Sequence, residues 1–222
     1  GTLIDSRMDI LLPQYFQLLS ARMAHLLPEE RFIRCLLRAT QAMIDNDGRA
    51  TNAEVFADTF YPRLGCPREV VEPILADFYA RDFPTLRRCA TCKSAARSVV
   101  QHAFDRGCDV VIATNPLFPA TAIEQRLAWA EIADFPYRLV TTYENSRASK
   151  PNLRYYQHIL DALGYSAAEC LVVGDEAWDM VAIHLGCPTF LVPSHATKDD
   201  VEQYVPTYRG SLDEVIRVIS NQ

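Results

Sequence analysis

Apolar side chains recur at helical spacing through the first part of the chain, up to about residue 90. Helix breakers separate the apolar stripes: Pro28 precedes the first, Asn46-Asp47-Gly48 follows it, and Gly65-Cys66-Pro67 lies between the next two. The pattern predicts a run of amphipathic helices. The three stripes are Phe32, Cys35, Leu36, Ala39 and Met43; Val55, Phe56, Thr59 and Phe60; and Val70, Val71, Ile74, Leu75 and Phe78.

The hydrophobic period changes near residue 107. A further helix begins at about Ser94 and stops at Gly107, and the continuous apolar run Asp109-Val110-Val111-Ile112-Ala113 follows it. Short apolar strands then alternate with helices. We predict strands at 138–142, 171–173 and 189–192, and helices at 119–131, 151–163, 177–185 and 211–219. Apolar strands that alternate with helices indicate an α/β fold with a doubly wound parallel sheet, covered by helices on both faces.

Composition narrows the classes of partner. The net charge of −6 and the pI near 5.4 argue against a nucleic-acid partner and against an anionic membrane surface. The apolar runs are too short to span a bilayer, so we expect a soluble, cytoplasmic protein without a membrane partner. Seven scattered cysteines in a chain of 222 residues indicate reduced thiols. The one close pair, Cys89 and Cys92, is predicted to be a chance pair at a helix start.

Ligands of a doubly wound sheet bind outside the carboxyl ends of the strands, and three predicted strand ends carry polar residues. Thr114-Asn115 offers a hydroxyl and backbone N–H groups to an anion, or simply caps the next helix. Lys150 precedes a helix N-terminus, where the helix dipole disfavours a cation unless an anion is bound beside it. The alternative interpretation is an ordinary lysine in a solvated loop. Asp175 follows a buried strand and Asp179 lies one helical turn later, so they form either a helix cap or a metal-carboxylate pair.

Together these residues resemble the haloacid dehalogenase-like hydrolase superfamily in type, order and spacing. The family's first loop reads Asp-x-Asp-Gly-Thr, and Gly1-Thr2-Leu3 is similar to its end. Thr114 matches the second motif, Lys150 the third, and Asp175 with Asp179 the acidic fourth. The resemblance implies a Rossmann-like core that starts at residues 1–7 and continues at 91–222, with a helical cap inserted at 8–90.

The resemblance also implies a mechanism and a cofactor. An aspartate expected directly before Gly1 would attack the phosphorus of a small phosphorylated substrate, and a second aspartate would transfer protons. Thr114 and Asn115 would bind the phosphoryl oxygens, and Lys150 would neutralise the charge of the transferring group. Asp175 would bind Mg²⁺, with Asp179 as a direct, water-mediated or outer-shell partner.

Other acidic and histidine residues compete for these roles. Asp45-Asn46-Asp47-Gly48 has the Asp-x-Asp-Gly pattern, but a helical stripe precedes it and Arg49 follows, so we predict a cap loop. His25, His102, His158, His184 and His195 lack the spacing of a metal site and are predicted to be structural or on the surface.

The leading functional hypothesis is a Mg²⁺-dependent phosphomonoester hydrolase, whose cap closes over the substrate. The alternatives are a phosphomutase or a 2-haloacid dehalogenase of the same fold, and a catalytically inactive binding protein. The paired acids Asp175 and Asp179 argue against a metal-free dehalogenase. We expect the nucleophile strand to lie beside the strand that ends at Thr114, because a fold without it would leave strand edges beside an apolar core.

Overall fold

The first part of the chain forms four helices. The computed structural model describes residues 1–194, 201 and 203–221. The helices are α1 (Met8–Met23), α2 (Glu29–Ile44), α3 (Asn52–Leu64) and α4 (Arg68–Arg81). The helix ends follow local chemistry: Thr51 and Glu54 form a capping box at the start of α3, and Gly65 ends it with a φ of 73°. The motif Asp45-Asn46-Asp47-Gly48 lies in the loop between α2 and α3, as predicted.

The predicted apolar stripes point inward for the most part. All five stripe residues of α2 are buried, and all of them except Met43 belong to one core with Phe60 of α3 and with Val71 and Phe78 of α4. The exception is Val70, which is 44% exposed. Val70 and Val71 are adjacent in a helix, and a turn of 100° per residue brings only one of them to the buried face.

A two-stranded antiparallel sheet joins the start of the chain to the end of the helical segment. Strand β1 (Ile4–Ser6) pairs antiparallel with β2 (Ala90–Cys92), and a 3₁₀ helix, Phe83–Cys89, leads into β2. The predicted helix start at Cys89 and Cys92 is therefore wrong, because Cys92 lies in β2 opposite Ile4. The two strands lie at the two ends of the helical segment, and the cap boundary at residues 8–90 stays a prediction.

The rest of the chain alternates strands and helices. In chain order the elements are α5 (Ala96–Asp105), β3 (Val111–Ile112), α6 (Ala120–Trp129), β4 (Leu139–Val140), α7 (Leu153–Leu163), β5 (Val172–Gly174), α8 (Ala177–Met180), β6 (Thr189–Leu191), β7 (Tyr208–Arg209) and α9 (Glu214–Ser220). The pairs β3–β4, β5–β6 and β6–β7 are all parallel, which confirms the predicted α/β fold class. The short strand β7 was not predicted.

The parallel sheet is divided between β3 and β5, which are not hydrogen-bonded to each other. The backbone of β3 bonds to β4 through the carbonyls of Val110 and Ile112, and successive residues of a strand point their backbone groups to opposite edges. The backbone groups of Val111 in β3 therefore point away from β4. By the same alternation, the backbone groups of Val173 in β5 point away from β6. Both valines line a cavity of about 2080 Å³ that extends beneath the cap helices.

The remaining predictions from composition can be compared with the described residues. All seven cysteines are free thiols. None of the described helices combines the length and the apolar character needed to cross a membrane. His195, which we predicted to be structural or on the surface, lies outside the described residues.

Candidate active site

Lys150 lies at the carboxyl end of β3, in the loop before α7. Its Nζ donates to the carbonyl of Ala113 at 2.8 Å and to Oδ1 of Asp179 at 2.6 Å, and its side chain is only 7% exposed. Burial opposes the charge of the ammonium, but the attraction of Asp179 outweighs it, so the pKa of Lys150 lies above its ordinary value. The lysine is therefore a fixed, buried cation and does not belong to a solvated loop.

Thr114 and Asn115 follow β3, as predicted, and both contact the loops of neighbouring strands. The Thr114 hydroxyl donates to the carbonyl of Thr141 at 2.6 Å, and the Thr114 N–H donates to Oγ1 of Thr141 at 2.8 Å. Asn115 accepts the backbone N–H of Lys150 at 3.2 Å. These bonds hold the ends of β3 and β4 and the lysine loop together.

Asp175 lies directly after β5 and contacts the first residues of the chain. The hydroxyls of Thr2 and Ser194 donate to its carboxylate at 2.9 and 2.8 Å, and the Gly1 nitrogen lies 3.9 Å away. The residue is 3% exposed. A side chain at position 1 would overlap the Asp175 carboxylate, so only glycine permits this close approach.

Asp179 holds the lysine and caps its own helix. Its Oδ2 accepts the backbone N–H groups of Asp175 and Glu176 at 3.1 and 3.2 Å, while Oδ1 accepts from Lys150. Its Cβ lies so close to Gly174 that any side chain there would clash. Asp179 thus connects Lys150 to the strand end that carries Asp175.

The structure brings the predicted site residues to one edge of the sheet. Thr114, Asn115, Lys150, Asp175 and Asp179 all line the large cavity. Lys150 contacts the segments that carry Thr114, Asn115 and Asp179, and Thr2 brings the first residues of the chain to Asp175. Among residues 1–194, 201 and 203–221, no three His, Cys, Asp or Glu side chains converge as a metal cage.

A buried amide network that we did not predict fastens the cap to the lysine loop. Asn52, at the start of α3, is fully buried and donates to the carbonyl of Pro116 and the hydroxyl of Ser149, both at 3.0 Å. The side-chain oxygen of Asn52 accepts from the side-chain amide of Asn46 at 2.8 Å, and the Ser149 hydroxyl donates to the backbone carbonyl of Met43 at 3.2 Å. The loop between α2 and α3 is thereby fixed to the residue next to Lys150.

Two more residues of the site carry no strong signal in the sequence. Ser194 lies three residues beyond the end of β6, a strand end for which we predicted no site residue. Arg126 lines the cavity from α6 and donates to the Ser6 hydroxyl at 3.3 Å. Desolvation lowers the pKa of the Arg126 guanidinium.

Similar solved structures share the fold across almost the whole chain. A phosphatase of the haloacid dehalogenase type from Thermococcus onnurineus is 16% identical with a TM-score of 0.60, and the match covers 100% of this chain and 95% of that one. An L-2-haloacid dehalogenase is 16% identical with a TM-score of 0.58 and coverage of 99% and 95%. A putative beta-phosphoglucomutase from Thermotoga maritima is 14% identical with a TM-score of 0.57 and coverage of 100% and 95%.

These identities are low, so the similarity shows the fold and not the reaction. None of the curated proteins is similar enough in sequence to count as a match. The sequence model of the haloacid dehalogenase-like hydrolase family, however, matches residues 1–185, which is most of the chain. The protein belongs to the haloacid dehalogenase-like hydrolase family.

Proposed function

We propose that the protein is a Mg²⁺-dependent phosphatase that hydrolyses a small organic phosphate through an aspartyl-phosphate intermediate. The observation that carries the proposal is the convergence of Thr114, Lys150 and Asp175 at one sheet edge, beside Gly1 and Thr2. A hydroxyl, a buried cation and a buried carboxylate together suit a phosphate dianion and a metal ion.

The nucleophile is proposed to be an aspartate directly before Gly1, at the end of a strand between β3 and β5. Val111 and Val173 turn their backbone hydrogen-bonding groups toward this cavity, and an extended segment there would pair with both strands. Because the Gly1 nitrogen lies 3.9 Å from Asp175, such a strand would end at the site.

The side chains then have separate tasks. A carboxylate oxygen of the nucleophile forms a bond to phosphorus while the bond to the alcohol oxygen breaks, and a second aspartate protonates the leaving alcohol. Water then hydrolyses the acyl phosphate, giving its proton to the second aspartate. Lys150 stabilises the negative charge throughout. Asn115 orients a phosphoryl oxygen, and so does Thr114 once its hydroxyl turns from the Thr141 carbonyl to the substrate.

The described residues fit a magnesium site with few protein ligands. Mg²⁺ commonly binds one or two carboxylates and completes its octahedron with water and substrate phosphate oxygens. Asp175 is a buried carboxylate at a strand end, and a cation beside it would offset its desolvation. Asp179 is committed to Lys150 and two N–H groups, so we assign it the role of positioning Lys150. When bound, the metal would stabilise negative charge on the phosphate.

The test of the proposal compares two reactions of the full-length protein. We expect release of 4-nitrophenol from 4-nitrophenyl phosphate with Mg²⁺, and loss of that turnover with EDTA. Chloride release from 2-chloropropionate without metal would instead identify a dehalogenase, and the absence of phosphate release at any Mg²⁺ concentration would leave the inactive binding protein as the better account.

A further inference from the structure

The cap side of the cavity is aromatic and carries no basic side chain. Helices α1 to α4 are all described, and they contribute no Lys, Arg or His to the lining. Their aromatic contribution includes Tyr15, Phe16, Phe56 and Tyr79. Carboxylates and second phosphates are recognised in proteins mainly by Arg and Lys, so the cap offers such groups no partner.

The acidic residues that the cap contributes to the lining are compensated. Asp9 accepts two hydrogen bonds from Arg7, at 3.1 and 2.8 Å. Glu72 accepts two from Arg68, both at 3.0 Å. Burial raises the pKa of Tyr15 to about 12, so its hydroxyl is neutral at physiological pH. The cap therefore presents a surface with little net charge.

The aromatic rings continue from the cap to the phosphate end of the cavity. Tyr15 packs against Phe118 with ring centroids 5.7 Å apart, and Phe56 packs against Tyr143 at 6.1 Å. Phe118 lies four residues after Thr114, and Tyr143 lies two residues after the Thr141 that holds Thr114. The rings of Phe16, Phe56, Phe118 and Tyr143 are only partly buried.

Among the described lining residues, positive charge is confined to the core and to the cavity edge. Lys150 and Arg126 lie on the core side, where the phosphate is proposed to bind. Arg7, at the start of α1, is exposed and paired with Asp9. An organic group that extends from the phosphate toward the cap therefore meets ring faces and aliphatic side chains.

We infer that the substrate is the phosphate ester of an uncharged, aromatic or apolar alcohol. This inference rests on the proposed phosphatase function and specifies its substrate class. An uncharged ring would bury apolar area against Phe56, Phe118 and Tyr143 and pack edge to face with them. A carboxylate at the same place would lose its water without gaining a cation.

The test uses a pair of substrates that differ in one group, benzyl phosphate and 4-carboxybenzyl phosphate. We expect kcat/KM to be at least about tenfold higher for benzyl phosphate, because an unpaired carboxylate is costly to desolvate. Thr40, a half-buried cavity residue of α2, offers a matched pair of variants. Thr40→Arg should reduce the preference or reverse it, and Thr40→Gln, which has a long side chain without charge, should leave it unchanged.

Binding of the corresponding phosphonates, measured by calorimetry, separates this inference from the reaction itself. If neither ester is hydrolysed, the phosphatase proposal fails, while tighter binding of benzylphosphonate than of its 4-carboxy analogue still supports the ligand class. Equal or tighter binding of the carboxy analogue overturns the inference. Preference for a 4-aminomethyl analogue also overturns it, because Asp9 and Glu72 would then act as uncompensated charges.

Discussion

Replacing Lys150 by alanine is expected to reduce Mg²⁺-dependent phosphatase turnover by about 10³-fold, near the upper end of what one electrostatic contact contributes to a transition state. The buried ammonium is fixed by hydrogen bonds to Ala113 and Asp179, so it does not have to reorient when the phosphoryl group transfers. The measurement is steady-state hydrolysis of 4-nitrophenyl phosphate at saturating Mg²⁺. Turnover within threefold of the wild type would rule out the proposed role of Lys150.

The same substitution should lower the free energy of unfolding by about 3 kcal/mol, because it leaves the carboxylate of Asp179 buried beside no cation. Urea denaturation measures this loss, and Arg106→Ala, at an exposed cation of the α5 end, serves as the control. A double variant, Lys150→Met with Asp179→Asn, removes both charges and should recover most of the stability without recovering turnover. Recovery of both would mean that Lys150 is only structural.

Replacing Asp175 by asparagine is expected to raise the Mg²⁺ concentration for half-maximal turnover by at least about 100-fold. Mutating an outer-shell partner of a metal ligand already lowers the affinity for the metal by about 10–100-fold, and removing a direct ligand should lower it more. Asparagine keeps the shape of the side chain, and its amide can accept from one of the Thr2 and Ser194 hydroxyls while it donates to the other, so a general loss of structure is not expected.

A metal titration of the Asp175→Asn variant separates metal binding from substrate binding. The KM for the phosphate ester at saturating Mg²⁺ should change far less than the Mg²⁺ dependence. Asp58→Asn, at an exposed position of α3, is the matched control and should leave both quantities unaltered. An unchanged Mg²⁺ dependence in Asp175→Asn would remove this carboxylate from the proposed metal site.

Much of the fold was predictable because the local pattern and the tertiary structure agree. The apolar stripe of α2 is buried as a unit, and the runs before Thr114 and Asp175 form parallel strands. Parallel strands bring their carboxyl ends to one edge, so residues far apart in sequence, such as Thr114 and Asp175, line one cavity.

The residues that the sequence did not indicate depend on contacts between distant segments. Asn52 looks like an ordinary helix-start residue, and its role comes from the loops at Pro116 and Ser149 that close around it. Strand β1 is only three residues long, and its pairing with β2 spans the whole helical segment. Ser194 follows the end of β6, and applying the strand-end rule to that strand would have found it.

The central claim is that phosphate transfers to an aspartate directly before Gly1, and trapping the intermediate tests it most directly. The full-length protein is mixed with a ³²P-labelled phosphate ester and Mg²⁺, quenched in acid within milliseconds, and digested for mass spectrometry. We predict an alkali-labile phosphate on an aspartate in the peptide that immediately precedes Gly1, with no label in the presence of EDTA. A protein that releases phosphate without ever carrying the label, or that carries it on a residue between 1 and 222, would contradict the account.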